Sequence, residues 1–222
     1  TSHETLLAKD KFEWLCREHG VIVQEYVSDL GSAFTSQAFA QHLEKFEQVI
    51  RFAGAGGHHH NPQAERAIRT VTCISRTMLF HQAIHWPEVS DPVLWPFAMK
   101  QAEYLVNRVP HPSTGHSAYD VFTKTKWPHS RFADLHPWGC PVYCLDKRLA
   151  DGQKIPRFQP RSTRMIYVGV SPRHASSVPM VLNPHSGAIK TVFHIVYDDW
   201  FSTVAANPAD LPDFNSTEWA QM

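Results

Sequence analysis

Two carboxylates stand out because of the elements that must carry them. Asp29 follows the alternating run Val21 to Ser28, which reads as a strand, so it sits at that strand's C-terminal end. Glu65 lies in the first turn of a helix announced by Asn61 and Pro62, an N-cap followed by proline at the first helical position. The two acids are separated by 35 residues. Carboxylates brought from separate elements to one strand end suit a hard divalent cation. Mg²⁺ takes octahedral oxygen ligation, keeps several waters, and is commonly held by one or two carboxylates plus phosphate oxygens. Two such ions about 3.5–4 Å apart activate the attacking oxygen and stabilise the leaving oxygen of an in-line displacement at phosphorus. Singly, each acid has a plainer reading. Asp before x-Gly is a turn residue, and Glu in a first helical turn complements the helix dipole.

The surroundings add cations. Glu65, Arg69, Thr72 and Arg76 fall at i, i+4, i+7 and i+11, which puts two arginines on the carboxylate's face. A helix laid along a phosphate backbone needs that arrangement. A Glu65–Arg69 surface ion pair, worth roughly a few tenths of a kcal/mol, fits the same spacing. Gly54 to His60 is a loop too glycine-rich for an element interior, and it allows close backbone approach just before Glu65. Neighbouring side chains cannot all reach one ion, so His58, His59 and His60 do not read as a zinc site. Gly54-x-Gly56-Gly57 lacks the Lys-Ser/Thr of a phosphate loop.

The elements that position these residues can be read from periodicity. A first helix carries Leu7, Lys11, Trp14 and Leu15 along one side and stops at Gly20. Thr35 or Ser36 caps a second helix with Phe39, Leu43 and Phe46 as its buried edge, and Val49–Phe52 forms a short strand. The helix from Gln63 to about His81 presents Ala64, Ile68, Val71, Ile74 or Ser75, and Met78 as a core stripe. Trp95–Arg108 reads as another helix, packing through Ala98, Ala102 and Leu105. After Pro110 prolines recur and apolar residues alternate. Val142 and Cys144 share one side of a strand, as do Ile166, Val168 and Val170, with Cys140 and Cys144 read as core thiols. Val178, Met180 and Leu182 precede the turn 183–187, and Phe193, Ile195 and Tyr197 follow it as the other arm of a hairpin. The chain therefore reads as an α/β part followed by a small β-barrel or sandwich, with an acidic, loose tail from Ala205.

Composition sets the outer bounds. The chain has 222 residues, 43% of them hydrophobic, enough for one large or two small folded units. No apolar run approaches the ~20 residues of a membrane span, since Pro96 interrupts the nearest candidate, and no secretory signal is visible. Four scattered cysteines point to a reducing compartment. The missing initiator Met suggests a piece of something longer. Overall neutrality hides an uneven distribution. Residues 129–195 hold 9 basic and 3 acidic side chains, whereas residues 196–222 hold 5 acidic and none basic. A basic module suits a polyanion partner. Lys147, Arg148, Lys154, Arg157, Arg161 and Arg164 either contact phosphates or solubilise loops.

The ordered set of motifs carries a family resemblance. Ser28-Asp29-Leu30-Gly31-Ser32-Ala33-Phe34 resembles the second-aspartate segment of retroviral-type integrases. Gly57-His58-His59-His60-Asn61-Pro62-Gln63-Ala64-Glu65-Arg66 resembles the His-His-Gln-Asn-Gly-x-Ala-Glu-Arg segment of copia-type retrotransposon integrases, and the Asp–35–Glu spacing matches. Trp95 to Pro110 follows the next family helix. Trp138-Gly139-Cys140-Pro141-Val142-Tyr143, Val168-Gly169-Val170-Ser171-Pro172 and His194-Ile195-Val196-Tyr197-Asp198-Asp199 resemble the SH3-like domain behind the core. Pro62 replaces the usual glycine, and His60 stands where Gln is usual.

The resemblance implies an α/β fold: a partial RNase H-like integrase core over 1–110, a connecting segment over 111–134, a small SH3-like β-barrel domain over 135–204, and an acidic tail over 205–222. It implies two Mg²⁺ ions, with Asp29 and Glu65 as catalytic residues and second and third metal ligands. His58, His59, Asn61 and Gln63 would bind DNA beside Arg69 and Arg76. The partners implied are element-end and target DNA and, in the intact enzyme, further copies of the chain, with no membrane or small-molecule substrate. The activity implied is 3′-processing and strand transfer, in the nucleus by way of cytoplasmic virus-like particles. The family's first aspartate belongs on a strand farther upstream than the 28 residues before Asp29 allow, so this chain alone is expected to be inactive. The competing reading is a degenerate or domesticated DNA-binding or interaction remnant without catalysis.

Overall fold

A computed structural model describes residues 2–52, 61–126, 128, 132, 134–174, 178–204, 213 and 216–220. The chain divides into two compact units, residues 1–69 with 118–126 and residues 70–117 with 127–222. The division falls between Arg69 and Thr70, inside a helix.

In the first unit, α1 (Ser2–Glu18) ends at Gly20, whose φ of 70° turns the chain while Val21 N–H bonds back to Cys16 O at 2.8 Å. Strand β1 (Glu25–Ser28), helix α2 (Gln37–Lys45) and strand β2 (Val49–Phe52) form a β–α–β unit. The strands pair in parallel, from Glu25 opposite Val49 to Ser28 opposite Phe52. Ser36 caps α2, its Oγ accepting from Phe39 N at 3.3 Å. Phe39 and Leu43 are buried, and the Phe39 ring meets Tyr26 and Phe34 edge-on. Phe46 is exposed instead of buried. It sits at the helix C-cap, where its ring faces the Lys9 and Lys45 ammonium groups.

The buried face of α1 differs from the apolar stripe. Lys9, Glu13 and Cys16 are buried, whereas Leu7 and Trp14 are 55% and 57% exposed and Lys11 and Leu15 also face solvent. A polar cluster overrides the apolar periodicity. Lys9 Nζ donates to Glu13 Oε1 at 2.7 Å, Gln48 Oε1 at 2.7 Å and His42 Nδ1 at 3.1 Å. The Tyr26 hydroxyl and Gln48 Nε2 also donate to Glu13 Oε1, and His42 Nε2 lies 2.9 Å from Asp10. Since His42 Nδ1 accepts from an ammonium, Nε2 carries the proton and donates to Asp10. One network thus ties α1 to α2, β1 and the entry of β2.

Burial pushes the Glu13 carboxyl up, but the hydrogen bonds from Lys9, Tyr26 and Gln48 and the Lys9 charge outweigh it and hold the group below its ordinary 4.5. A carboxyl lowered on folding contributes stability that is full above the ordinary value and is lost as pH falls through the folded value. Glu13→Gln is therefore expected to lower the urea midpoint of the first unit at pH 7 and to change it much less near pH 3. Equal losses at the two pH values would contradict the ionised assignment.

Helix α3 (Pro62–His85) runs a turn past His81. Its expected stripe holds only toward the C-terminal half: Ala64 and Ile68 are exposed, Ile68 by 65%, whereas Ser75 is buried and Met78 packs partly buried against the core, joined there by Leu79, Gln82 and Ala83. The second unit begins at Thr70 and joins the rest of α3 with α4 (Trp95–Val106) and a five-stranded antiparallel sheet. The strands are β3 (Pro141–Leu145), β4 (Ser162–Val170), β5 (Pro179–Leu182), β6 (Ile189–Thr191) and β7 (Ile195–Tyr197), in the order β6-β5-β4-β3-β7. The expected barrel is an open sheet among the described residues, because β6 and β7 are three-residue edge strands with no pairing between them. The hairpin partner of β5 is Ile189–Thr191, while Ile195–Tyr197 crosses to the opposite edge and pairs with β3.

The core of this unit gathers Leu79 and Ala83 from α3, Trp86 just past its end, Ala98 from α4, and Cys140, Val142, Ile166 and Val168 around the sheet. Burial, with the charges of Asp199 and Asp198, pushes the Cys140 thiol up, so Cys140 stays a neutral core thiol, and burial raises Cys144 likewise. His136 Nδ1–H bonds Asp199 at 2.9 Å and its ring stacks on Tyr197, tying the approach to β3 to the end of β7. The acidic end is not a loose tail throughout. Trp219, in the short helix Thr217–Ala220, is buried against Phe80 at 5.5 Å between ring centroids.

Candidate functional site

Asp29 stands one residue beyond β1 and is exposed. Its Oδ1 accepts from Gly31 N–H at 3.2 Å and lies 3.4 Å from the buried Ser28 hydroxyl, so the carboxylate is held by an Asx-type turn. A Cβ at Gly31 would stand 3.0 Å from Asp29 Oδ1, a tight contact with the end of that side chain.

The helix bearing Glu65 comes to the same strand end through Asn61. Asn61 Oδ1 accepts from Ala64 N–H at 3.4 Å as the N-cap, and its Nδ2 donates to Val27 O at 3.2 Å. Glu65 N–H closes the first turn on Asn61 O at 3.1 Å. One side chain therefore starts α3 and clasps it to β1 two residues before Asp29. Glu65 is one turn further on, and both acids belong to the first compact unit. The sequence marks Asn61 as a helix cap. The clasp to Val27 could not be read from local spacing, because its acceptor lies 34 residues away.

Gln63, Glu65, Arg69 and Arg76 are exposed along α3, and the Arg76 guanidinium also lies 5.0 Å from the Phe80 ring. His58 and His59 lie outside the described residues. In the sheet-bearing unit, Lys147, Arg148, Lys154, Arg157, Arg161 and Arg164 are exposed. Arg148 is bound to Asp146, the cap of its own short helix, through paired hydrogen bonds of 2.9 and 3.1 Å. Arg164 donates to Thr203 O and lies over Trp86. These two are committed within the fold as well as charged.

No group of three or more His, Cys, Asp or Glu side chains suited to a metal ion occurs among the described residues. Asp29 and Glu65 supply two carboxylates, which suits a partial site. They do not by themselves fit a two-ion centre.

No family model matches the sequence, and no curated protein matches it. A search of solved structures finds similarity to a chain in a cryo-electron-microscopy structure of the simian T-cell lymphotropic virus intasome in complex with PP2A regulatory subunit B56 gamma. The TM-score is 0.41 at 14% identity, over 86% of this chain and 62% of that one. The chain thus spans less than two thirds of that neighbour's length.

Proposed function

We propose that this chain is part of a copia-type retrotransposon integrase: a portion of its RNase H-like core, carrying the second and third acidic residues, joined to an SH3-like module. In this reading it binds element-end and target DNA through α3 and the loop before it, and other copies of the chain complete the assembly. The observation that carries the reading is the Asn61–Val27 clasp, which brings the helix of Glu65 to the strand end of Asp29. Mg²⁺ would supply charge neutralisation at the scissile phosphate. This chain's residues contribute two carboxylates and, from Arg69 and Arg76, cations spaced along one helix for a phosphate backbone.

Two measurements test the proposal. Mn²⁺ added to the full chain, as a paramagnetic stand-in for Mg²⁺, is expected to broaden the amide resonances around residues 28–31 and 61–66. Asp29→Asn or Glu65→Gln is expected to abolish the broadening. Broadening centred elsewhere, or unaffected by either substitution, overturns the metal role. Binding of duplex DNA should weaken with salt, and Arg69→Gln should reduce the slope of log K against log[salt] by about 1. With Mg²⁺ and element-end DNA, the chain alone is expected to show no strand transfer. Salt-sensitive DNA binding without the Mn²⁺ response would favour a non-catalytic DNA-binding remnant.

A further inference from the structure

The second unit contains a groove that the integrase reading does not use. Lys100, Glu103, Tyr104 and Asn107 fall at i, i+3, i+4 and i+7 of α4 and its C-cap, opposite the buried Ala98, Gln101 and Ala102. With Arg108 they form one wall of a cavity of about 390 Å³, and Ser171, Pro172 and His174 after β4 form the other. The volume falls in the range of small-ligand sites. The walls are fixed relative to each other. Gln101 Oε1 accepts from Val170 N–H at 3.3 Å, and a Cβ on Gly169 would stand 3.1 Å from that oxygen.

The polar groups are oriented before any ligand arrives. The Arg108 guanidinium carbon lies 3.6 Å from the centroid of the Tyr104 ring, and its NH1 donates to Tyr104 O at 3.1 Å. Opposite it, Ser171 is buried and its Oγ is 2.7 Å from His174 Nδ1, while Arg173 N–H approaches the same Oγ at 3.5 Å. The Ser171–His174 hydrogen bond fixes the imidazole on this wall and leaves Nε2 as its remaining polar atom. The ionisable groups lining the groove are Lys100, Glu103, Tyr104, Arg108 and His174, so the cations outnumber the single carboxylate. A helix C-terminus ordinarily repels anions. Here, however, Glu103 O, Tyr104 O and Leu105 O already accept from Asn107 N–H, Arg108 NH1 and the Arg108 and Val109 N–H groups.

We infer that this groove binds a phosphate group, held by Lys100, Asn107 and Arg108 from one wall and His174 from the other. Donors from two walls suit a tetrahedral oxyanion, whereas a planar carboxylate is satisfied by one guanidinium fork. A nucleic-acid backbone and a small phosphorylated molecule both present this group, and the chemistry of the site is the same for both.

The test uses the full chain, followed by amide NMR at constant ionic strength. Inorganic phosphate is expected to shift the resonances of Asn107, Ser171 and His174 with a dissociation constant on the order of 1 mM. Lys100→Gln, at an exposed position, should weaken that binding about tenfold, and Arg108→Gln should remove it, with circular dichroism confirming that each variant is folded. Acetate should shift the same resonances far less. A short DNA duplex that displaces the phosphate identifies a nucleic-acid backbone as the source; one that leaves it in place identifies a small phosphate. The assignment is overturned if phosphate does not shift these resonances, if acetate binds equally well, or if Lys100→Gln binds phosphate like the parent chain.

Discussion

Gly139→Ala is expected to destabilise the sheet-bearing unit by about 2–5 kcal/mol, the sum of a positive-φ cost of about 1–2 and an overpacking cost of about 1–3. Gly139 has a φ of 85°, and a Cβ there would stand 2.9 Å from Gln82 Cβ and 3.3 Å from Gln82 Cα. The obstacle includes the backbone of α3, so a rotamer change cannot relieve it. The same glycine donates its N–H to Tyr167 O at 2.8 Å, and its carbonyl accepts from Trp86 Nε1 at 2.9 Å. Displacing it therefore disturbs the sheet and the helix packed on it together. Thermal unfolding should show a fall in Tm of about 5–15 °C. Gly152→Ala is the control. Gly152 has a φ of 77° but nothing within 4 Å of its Cβ position, so only the conformational cost of about 1–2 kcal/mol remains. If the two variants lose the same stability, close approach of α3 is not what requires glycine at 139.

Lys9→Met is expected to cost the first unit about 3 kcal/mol, a loss typical of removing one partner from a buried ion pair. The methionine can fill the space of the lysine stem, but Glu13, Gln48 and His42 each lose the donor they share. Because the network joins α1 to α2 and both strands, the loss should appear as faster native-state hydrogen exchange in β1 as well as in α1. Lys9→Met combined with Glu13→Leu should recover part of the deficit, since the second change removes the uncompensated carboxylate. Strict additivity of the two substitutions would mean that Lys9 and Glu13 are not energetically coupled.

The network also explains where sequence periodicity failed. The apolar stripe of α1 named Leu7, Trp14 and Leu15, yet the helix turns Lys9 and Glu13 inward, because their acceptors and donors arrive from residues 26, 42 and 48. No local window contains those partners. The same limitation put Ala64 and Ile68 on the buried face of α3 and left out Leu79, Gln82 and Ala83, which join Ser75 where the sheet supplies the opposing surface. It also misassigned the hairpin. The turn at 183–187 was legible, but whether Ile189 or Ile195 opens the returning strand depends on which edge of the sheet needs a partner.

Local chemistry alone determined the parts that depend on neighbours in the chain. The stop at Gly20, the Ser36 cap, the Asn61-Pro62 helix start and the Asp29-x-Gly31 turn follow from hydrogen bonds and dihedral preferences within five residues. The tertiary structure decided what those parts meet. It used the Asn61 amide to fasten the helix of Glu65 beside the strand of Asp29, opened the expected barrel into a sheet, and drew Trp219 from an acidic terminus into the core. Burial and pairing depend on surfaces that converge only after folding, whereas caps and turns are satisfied within the segment that encodes them.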